Sequence, residues 1–157
     1  MQAEAEAAAA ATAVTAVTAV TAPGDPGERG PLGAVTGTPR IWLRIEGAAA
    51  LLGAVGLYLQ LGGQILWLAP LLLAVDASMA GYLAGPRVGA FVYNLFHNWA
   101  IGVVVLAIAW WLDSAPVALI GAILLAHVGM DRAAGYGLKY PTSFGDTHLG
   151  RIGRAAR

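Results

Sequence analysis

Residues 115–137 read APVALIGAILLAHVGMDRAAGYG. Pro116 belongs in a first helical turn, where its missing N–H would lack a partner anyway, and Asp113 or Ser114 supplies the cap before it. Apolar and small side chains then run unbroken to Ala126, and the helical pattern reaches about Ala134. A stretch of roughly 20 such residues crosses the ~30 Å hydrocarbon core of a bilayer. His127 and Asp131, at i and i+4, share one face of its last turns. Arg132 leads out into Gly135-Tyr136-Gly137. That triplet follows a helix instead of preceding one, so it is not a phosphate loop; it ends the helix and turns the tail back.

Three runs of the same kind come earlier, at about 41–60, at about 63–83 with Pro70 inside, and at about 88–112. Leu61-Gly62-Gly63, the Gly-Pro turn at 84–87 and Asp113-Ser114 separate them. Connections this short make consecutive helices antiparallel neighbours. The predicted fold is all-α, an integral membrane antiparallel bundle of four transmembrane helices. Composition agrees: 58% of residues are hydrophobic and 11% charged, with mean hydropathy +0.67, against a charged fraction of about 25% in soluble domains. The net charge of zero supplies no field to draw nucleic acid, and the absence of cysteine excludes thiolate metal sites and cysteine nucleophiles.

Arg40, Arg44, Arg87, Arg132, Lys139, Arg151, Arg154 and Arg157 all fall on one side of this four-span arrangement. Positive residues stay inside, so both termini are expected in the cytoplasm of a bacterial inner-membrane protein. Tyr58, Trp67, Trp110 and Trp111 would mark the outer interface, and Trp42, Tyr82 and Tyr136 the inner one. Residues 1–39, with their alanine run and repeated Thr-Ala-Val, lack large side chains to pack and are expected to be a disordered cytoplasmic tail; a start assigned too far upstream is the alternative. Residues 40–136 form the bundle, and 137–157 a cytoplasmic tail folding over its inner mouth.

This topology brings Glu46, Asp76, Asn94, His97, His127 and Asp131 to a similar inner-leaflet depth, whereas Gln60 and Gln64 are the polar residues near the outer interface. Asn94 and His97 share a helix face, and Glu46, Ala50 and Gly53 are expected to form a small-residue stripe for close helix approach. Pro70 is expected to kink the second span ahead of Asp76. Any one of these polar groups serves readily as interhelical glue, worth around 1 kcal/mol. Several ionisable groups together, at about 2.5 kcal/mol or more apiece, point to a site. Arg87 and Arg132 read as topology determinants and lipid-phosphate contacts.

HVGMDRAAGYGLKY from His127 with the following DTHLG, YLAGPRVGAFVYNLFHN from Tyr82 to Asn98, and Asp-Ala-Ser-Met at 76–79 resemble a family of small bacterial membrane proteins, domain of unknown function 4260. The resemblance runs from about Trp42 to Ile152. Val75 stands where a proline is usual, and residues 99–102 follow the pattern more loosely. The resemblance implies a four-helix membrane protein and carries no assigned activity or catalytic residues.

Histidine and carboxylate without cysteine suit Zn²⁺, Mn²⁺ or Fe²⁺. The expected ligands are His97, His127 and either Asp76 or Asp131, with the spare carboxylate as general base. His148 joins them if the tail folds back, and Glu46 and Ser78 are further catalytic candidates. Asn94, Arg132 and Lys139 complete the polar cluster. Shared ligation requires His97 and His127 within about 8 Å, given bonds near 2 Å. The leading expectation is a metal-dependent, hydrolase-like site facing the inner leaflet and acting on lipid or small amphiphiles. Alternatives are a small proton-coupled transporter, forming its path as a homo-oligomer, and a non-catalytic membrane module with the cluster as glue. A polar route to Gln60 and Gln64 would favour transport; a closed apolar outer half would favour a binding site.

Overall fold

The computed structural model describes residues 33–153, so the repeats and most of the expected N-terminal tail lie outside the described residues. The chain is mostly helical. In order come α1 (Gly37–Gln60), α2 (Ile65–Val75), a 3₁₀ segment (Asp76–Ala84), α3 (Pro86–Phe96), α4 (Trp99–Trp111) and α5 (Ala115–Ala134). Two short strands follow, β1 (Asp146–Thr147) and β2 (Gly150–Arg151), paired antiparallel. Three helices are long and apolar enough to cross a membrane: α1, α2 continued through the 3₁₀ segment, and α5. Counted together, α3 and α4 make a fourth, bent by 43°.

The centre is α5, buried at almost every position from Gly121 to Arg132 and packed on α1, α4 and α2. Glycines set how closely the neighbours approach. A Cβ on Gly129 would lie 2.6 Å from the Leu51 amide nitrogen and 2.8 Å from the Gly47 carbonyl oxygen of α1. Gly102 of α4 receives Leu125, and Gly121 receives Leu106 of α4. Such small-residue contacts let helix backbones approach closely.

The face α1 uses differs from the expected stripe. Gly47, Ala54 and Tyr58 are buried, whereas Glu46 and Gly53 are exposed. One position of offset is about 100° around a helix, enough to turn Glu46 outward. Tyr58 is also no interface anchor: 2% exposed, it packs on Gly63 and donates its hydroxyl proton to the Gln64 carbonyl at 3.1 Å. Trp67, Trp110 and Trp111 are exposed.

Backbone irregularities fall away from Pro70. The α2 helix continues through Pro70 to Val75, and the tightening to three residues per turn begins at Asp76. The 3₁₀ segment then lies on α3, with Gly81 against Val92 and the Tyr82 ring against Gly89. Gly85, at φ +99°, makes the turn into Pro86. The expected third span is broken at His97 and Asn98. Asn98 is the reason: its carboxamide donates to the Asn94 and Leu95 carbonyls at 2.7 and 2.9 Å, closing α3, and accepts from the Ile101 amide at 3.1 Å, opening α4. One side chain satisfies both helix ends.

Candidate metal centre

The break in the third run leaves His97 at the end of α3, fully buried and facing α5. The last turns of α5 carry His127, also fully buried, and Asp131, 6% exposed. Asp76 opens the 3₁₀ segment beside them. The two Nε2 atoms are 2.9 Å apart, so the rings meet the proximity that shared ligation requires. Asp76 Oδ1 lies 3.4 Å from His97 Nε2 and 3.5 Å from His127 Nε2. The carboxylate of Asp131 is a step further out, 3.9 and 3.8 Å from the same two nitrogens.

His97 and Asp131 are held from behind. His97 Nδ1 is 2.9 Å from the Tyr93 carbonyl, which can only accept, so Nδ1 carries the proton and Nε2 presents its lone pair inward when the ring is neutral. The Tyr93 ring stacks on His97 with centroids 3.6 Å apart, and its hydroxyl donates to Asp131 Oδ2 at 2.6 Å. Arg132 points inward: its guanidinium donates to the His97 carbonyl at 3.1 Å and to the Tyr136 carbonyl at 2.9 Å, so it fastens the ends of α3 and α5. That replaces the lipid-phosphate role expected for it. His127 Nδ1 is buried with no hydrogen-bond partner.

These atoms fit a divalent cation. Bonds of about 2.0–2.1 Å in a tetrahedral site put neighbouring donors roughly 3.3 Å apart. The two Asp76 contacts match that edge, and the imidazole pair needs to open by a few tenths of an ångström. Asp76, His97 and His127 form the one such triad of ligand atoms among the described residues. Two imidazoles with a carboxylate, and no sulfur, form a donor set for zinc, manganese or iron.

A family model described as domain of unknown function 4260 matches residues 40–152, which contain the whole cluster. The chain belongs to this family. No curated protein and no solved structure matches it.

Within this 4260-family domain, three candidates stand apart from the cluster. Glu46 is exposed on α1. His148 takes the Leu138 N–H on Nδ1 at 2.8 Å, and its own backbone N–H reaches the Leu138 carbonyl at 3.0 Å, so it braces the tail outside the triad of Asp76, His97 and His127. Burial, then the nearby Arg132 charge, lowers the His148 pKa below its ordinary value. Ser78 Oγ, buried without a partner, lines a different cavity. Asn94 instead acts as a backbone mimic. Its carboxamide donates to the Lys139 carbonyl at 2.9 Å and accepts the Lys139 N–H at 2.7 Å, clamping the tail on α3. Tyr93 escaped the sequence reading; the signal was a tyrosine four residues ahead of His97, one turn below it on the same face.

The helix that carries His127 and Asp131 ends in a Schellman closure. Gly135, at φ +94°, donates to the Arg132 carbonyl at 3.0 Å and Tyr136 to the Asp131 carbonyl at 2.7 Å. Arg44 of α1 caps the same end at the Ala133 carbonyl, 2.9 Å away. In the hairpin, Asp146 accepts from the Thr142 hydroxyl at 2.7 Å and from Arg151 at 3.1 Å, and these contacts, Thr142 first, hold its carboxyl below the usual range. Between cluster and tail lies a cavity of about 520 Å³ with Asp76, Asp131, Tyr93 and Lys139 on its walls. An apolar cavity of about 590 Å³ runs from Gln64 past Leu71 and Ile120 to Ser78.

Proposed function

We propose that this chain is a multi-pass inner-membrane protein with a divalent-metal, hydrolase-like site at its cytoplasmic side, acting on lipid or small amphiphiles. The carrying observation is the convergence of His97 Nε2, His127 Nε2 and Asp76 Oδ1 within 3.5 Å of one another. A buried constellation of this kind costs several kcal/mol to leave uncompensated. When bound, such a cation supplies Lewis acidity and brings the pKa of a water at its open position to about 7.

The chain's own residues do the rest. The Tyr93 carbonyl fixes the His97 tautomer, and the Tyr93 hydroxyl orients Asp131. The Asp131 carboxylate is the fourth donor or the general base for a water in the 520 Å³ cavity. The basic residues that gather at the end of α5 support both termini being cytoplasmic. Gly47 against Arg132 and Leu51 against Gly129 is a register rising on one helix while falling on the other, which supports the antiparallel bundle. Exposed Leu52, Leu66, Leu73, Phe91 and Trp110 suit a lipid surround. The apolar cavity supports an amphiphile as substrate, and the apolar side chains along it between Gln64 and Ser78 weigh against a proton path.

The second reading is helix glue, favoured by the 2.9 Å separation of the Nε2 atoms, which a single shared proton explains. Elemental analysis of the detergent-purified chain separates the two. Near-stoichiometric metal, abolished by His97→Ala and by His127→Ala, is the expected result. Protein that stays metal-free after incubation with Zn²⁺ and with Mn²⁺ leaves the glue reading in possession.

A further inference from the structure

Lys139 is 5% exposed, and among the described residues no carboxylate comes within ion-pairing distance of its ammonium. Nζ donates to the Phe144 carbonyl at 2.8 Å and lies 3.7 Å from the centroid of the Phe144 ring and 4.9 Å from that of Tyr93. The Asn94 clamp fixes its backbone. An ammonium has three protons to donate, and one protein acceptor takes one of them. A buried cation so poorly matched is expensive unless something else compensates it. Lys139 lines the 520 Å³ cavity, as Asp76 and Asp131 do.

Charge decides what can enter. With the site empty of metal, two carboxylates outnumber one ammonium and the cavity repels anions. A divalent cation held by His97, His127 and Asp76 reverses the balance, leaving the cavity with one net positive charge and a lysine in its wall. We propose that Lys139 is the anion-recognition group of this cavity, holding a phosphate or carboxylate in the cavity beside the metal centre. This rests on the metal reading above and adds the substrate class to it: an anionic amphiphile, or a free anion of the same chemistry. Anion binding is therefore metal-dependent.

The test is calorimetric titration of the full-length, detergent-purified chain, metal-free and Mn²⁺-loaded, with inorganic phosphate and with a short-chain phosphatidic acid. The loaded protein is expected to bind and the metal-free protein to bind at least roughly tenfold more weakly, a comparison that needs no variant. Lys139→Met is expected to weaken binding by roughly ten- to a hundredfold, the worth of a charge-assisted hydrogen bond, with Lys139→Arg retaining most of it and metal content unchanged in both. Tighter binding of the lipid than of phosphate identifies a headgroup site, and equal binding a free-anion site. Metal uptake without anion binding, or anion binding indifferent to Lys139→Met or to metal, overturns the Lys139 assignment alone. Failure of metal uptake overturns the reading beneath it as well.

Discussion

The two ends of the helical region are built on different rules. At the tail end, His97, His127, Asp131, Arg132 and Lys139 are all buried, and helix ends are closed by named side chains. At the other end, around Trp67, Trp110 and Trp111, the helices meet through tight turns and expose large apolar side chains. No residue of α2 is buried, whereas α5 is buried over most of its second half. A helix apolar all round has no preferred partner face. Position in this fold is therefore set at the polar end, by directional bonds, and the far end follows.

The largest effect expected from this difference is at Gly129, where backbone meets backbone. Gly129→Leu drives a side chain into the Leu51 amide and the Gly47 carbonyl, which cannot yield. It should cost about 3 kcal/mol or more and abolish a folded, monodisperse protein in gel filtration. Leu52→Ala, at an exposed position on the same pair of helices, should stay within about 0.5 kcal/mol. Equal tolerance of the two would mean that α1 does not dock on α5 as described.

Next comes the Asn94 clamp. Asn94→Ala removes two hydrogen bonds and leaves the Lys139 peptide unpaired, a loss of about 2 kcal/mol concentrated in the tail. Hydrogen exchange should show faster opening of residues 138–150 with α5 unchanged. Tyr93→Phe follows, at about 1.5 kcal/mol for a hydrogen bond to a carboxylate. Because the Tyr93 carbonyl survives the substitution, His97 keeps its tautomer. Metal content should hold while turnover on any amphiphile that the wild type hydrolyses falls; metal lost in parallel would make Tyr93 part of the binding frame instead.

Helices, turns and the shared depth of His97, His127, Asp76 and Asp131 were legible because apolar runs, Gly-Pro punctuation and helical spacing fix depth along each helix. Rotation about the helix axis was not legible. Glu46 and Gly47 are neighbours in sequence, and which one faces α5 depends on the collision of two backbones, not on hydropathy. The break at His97 had a local signal in Asn98, a residue that favours helix starts, masked by apolar residues on both sides. Lys139 and Asn94 act through backbone groups of a tail with no periodicity, so their pairing emerges only in three dimensions.

The smallest effect expected belongs to His148, which is only partly buried and sits between β1 and β2, bonded to Leu138. Its Nδ1 accepts the Leu138 N–H, which requires an unprotonated nitrogen, and burial lowers its pKa. A lowered folded-state pKa means that the unfolded tail takes up the proton first. The stabilisation is thus complete above the ordinary histidine value of about 6.5 and is lost as pH falls below it towards the folded-state pKa. Protection of the Leu138 amide, measured relative to amides in the middle of α4, should therefore decline on acidification below about pH 6.5, and His148→Gln should flatten that dependence. A decline of equal size at the α4 amides would mean that acid loosens the far end of the helical region as readily as the polar end, and the division between the two would not hold.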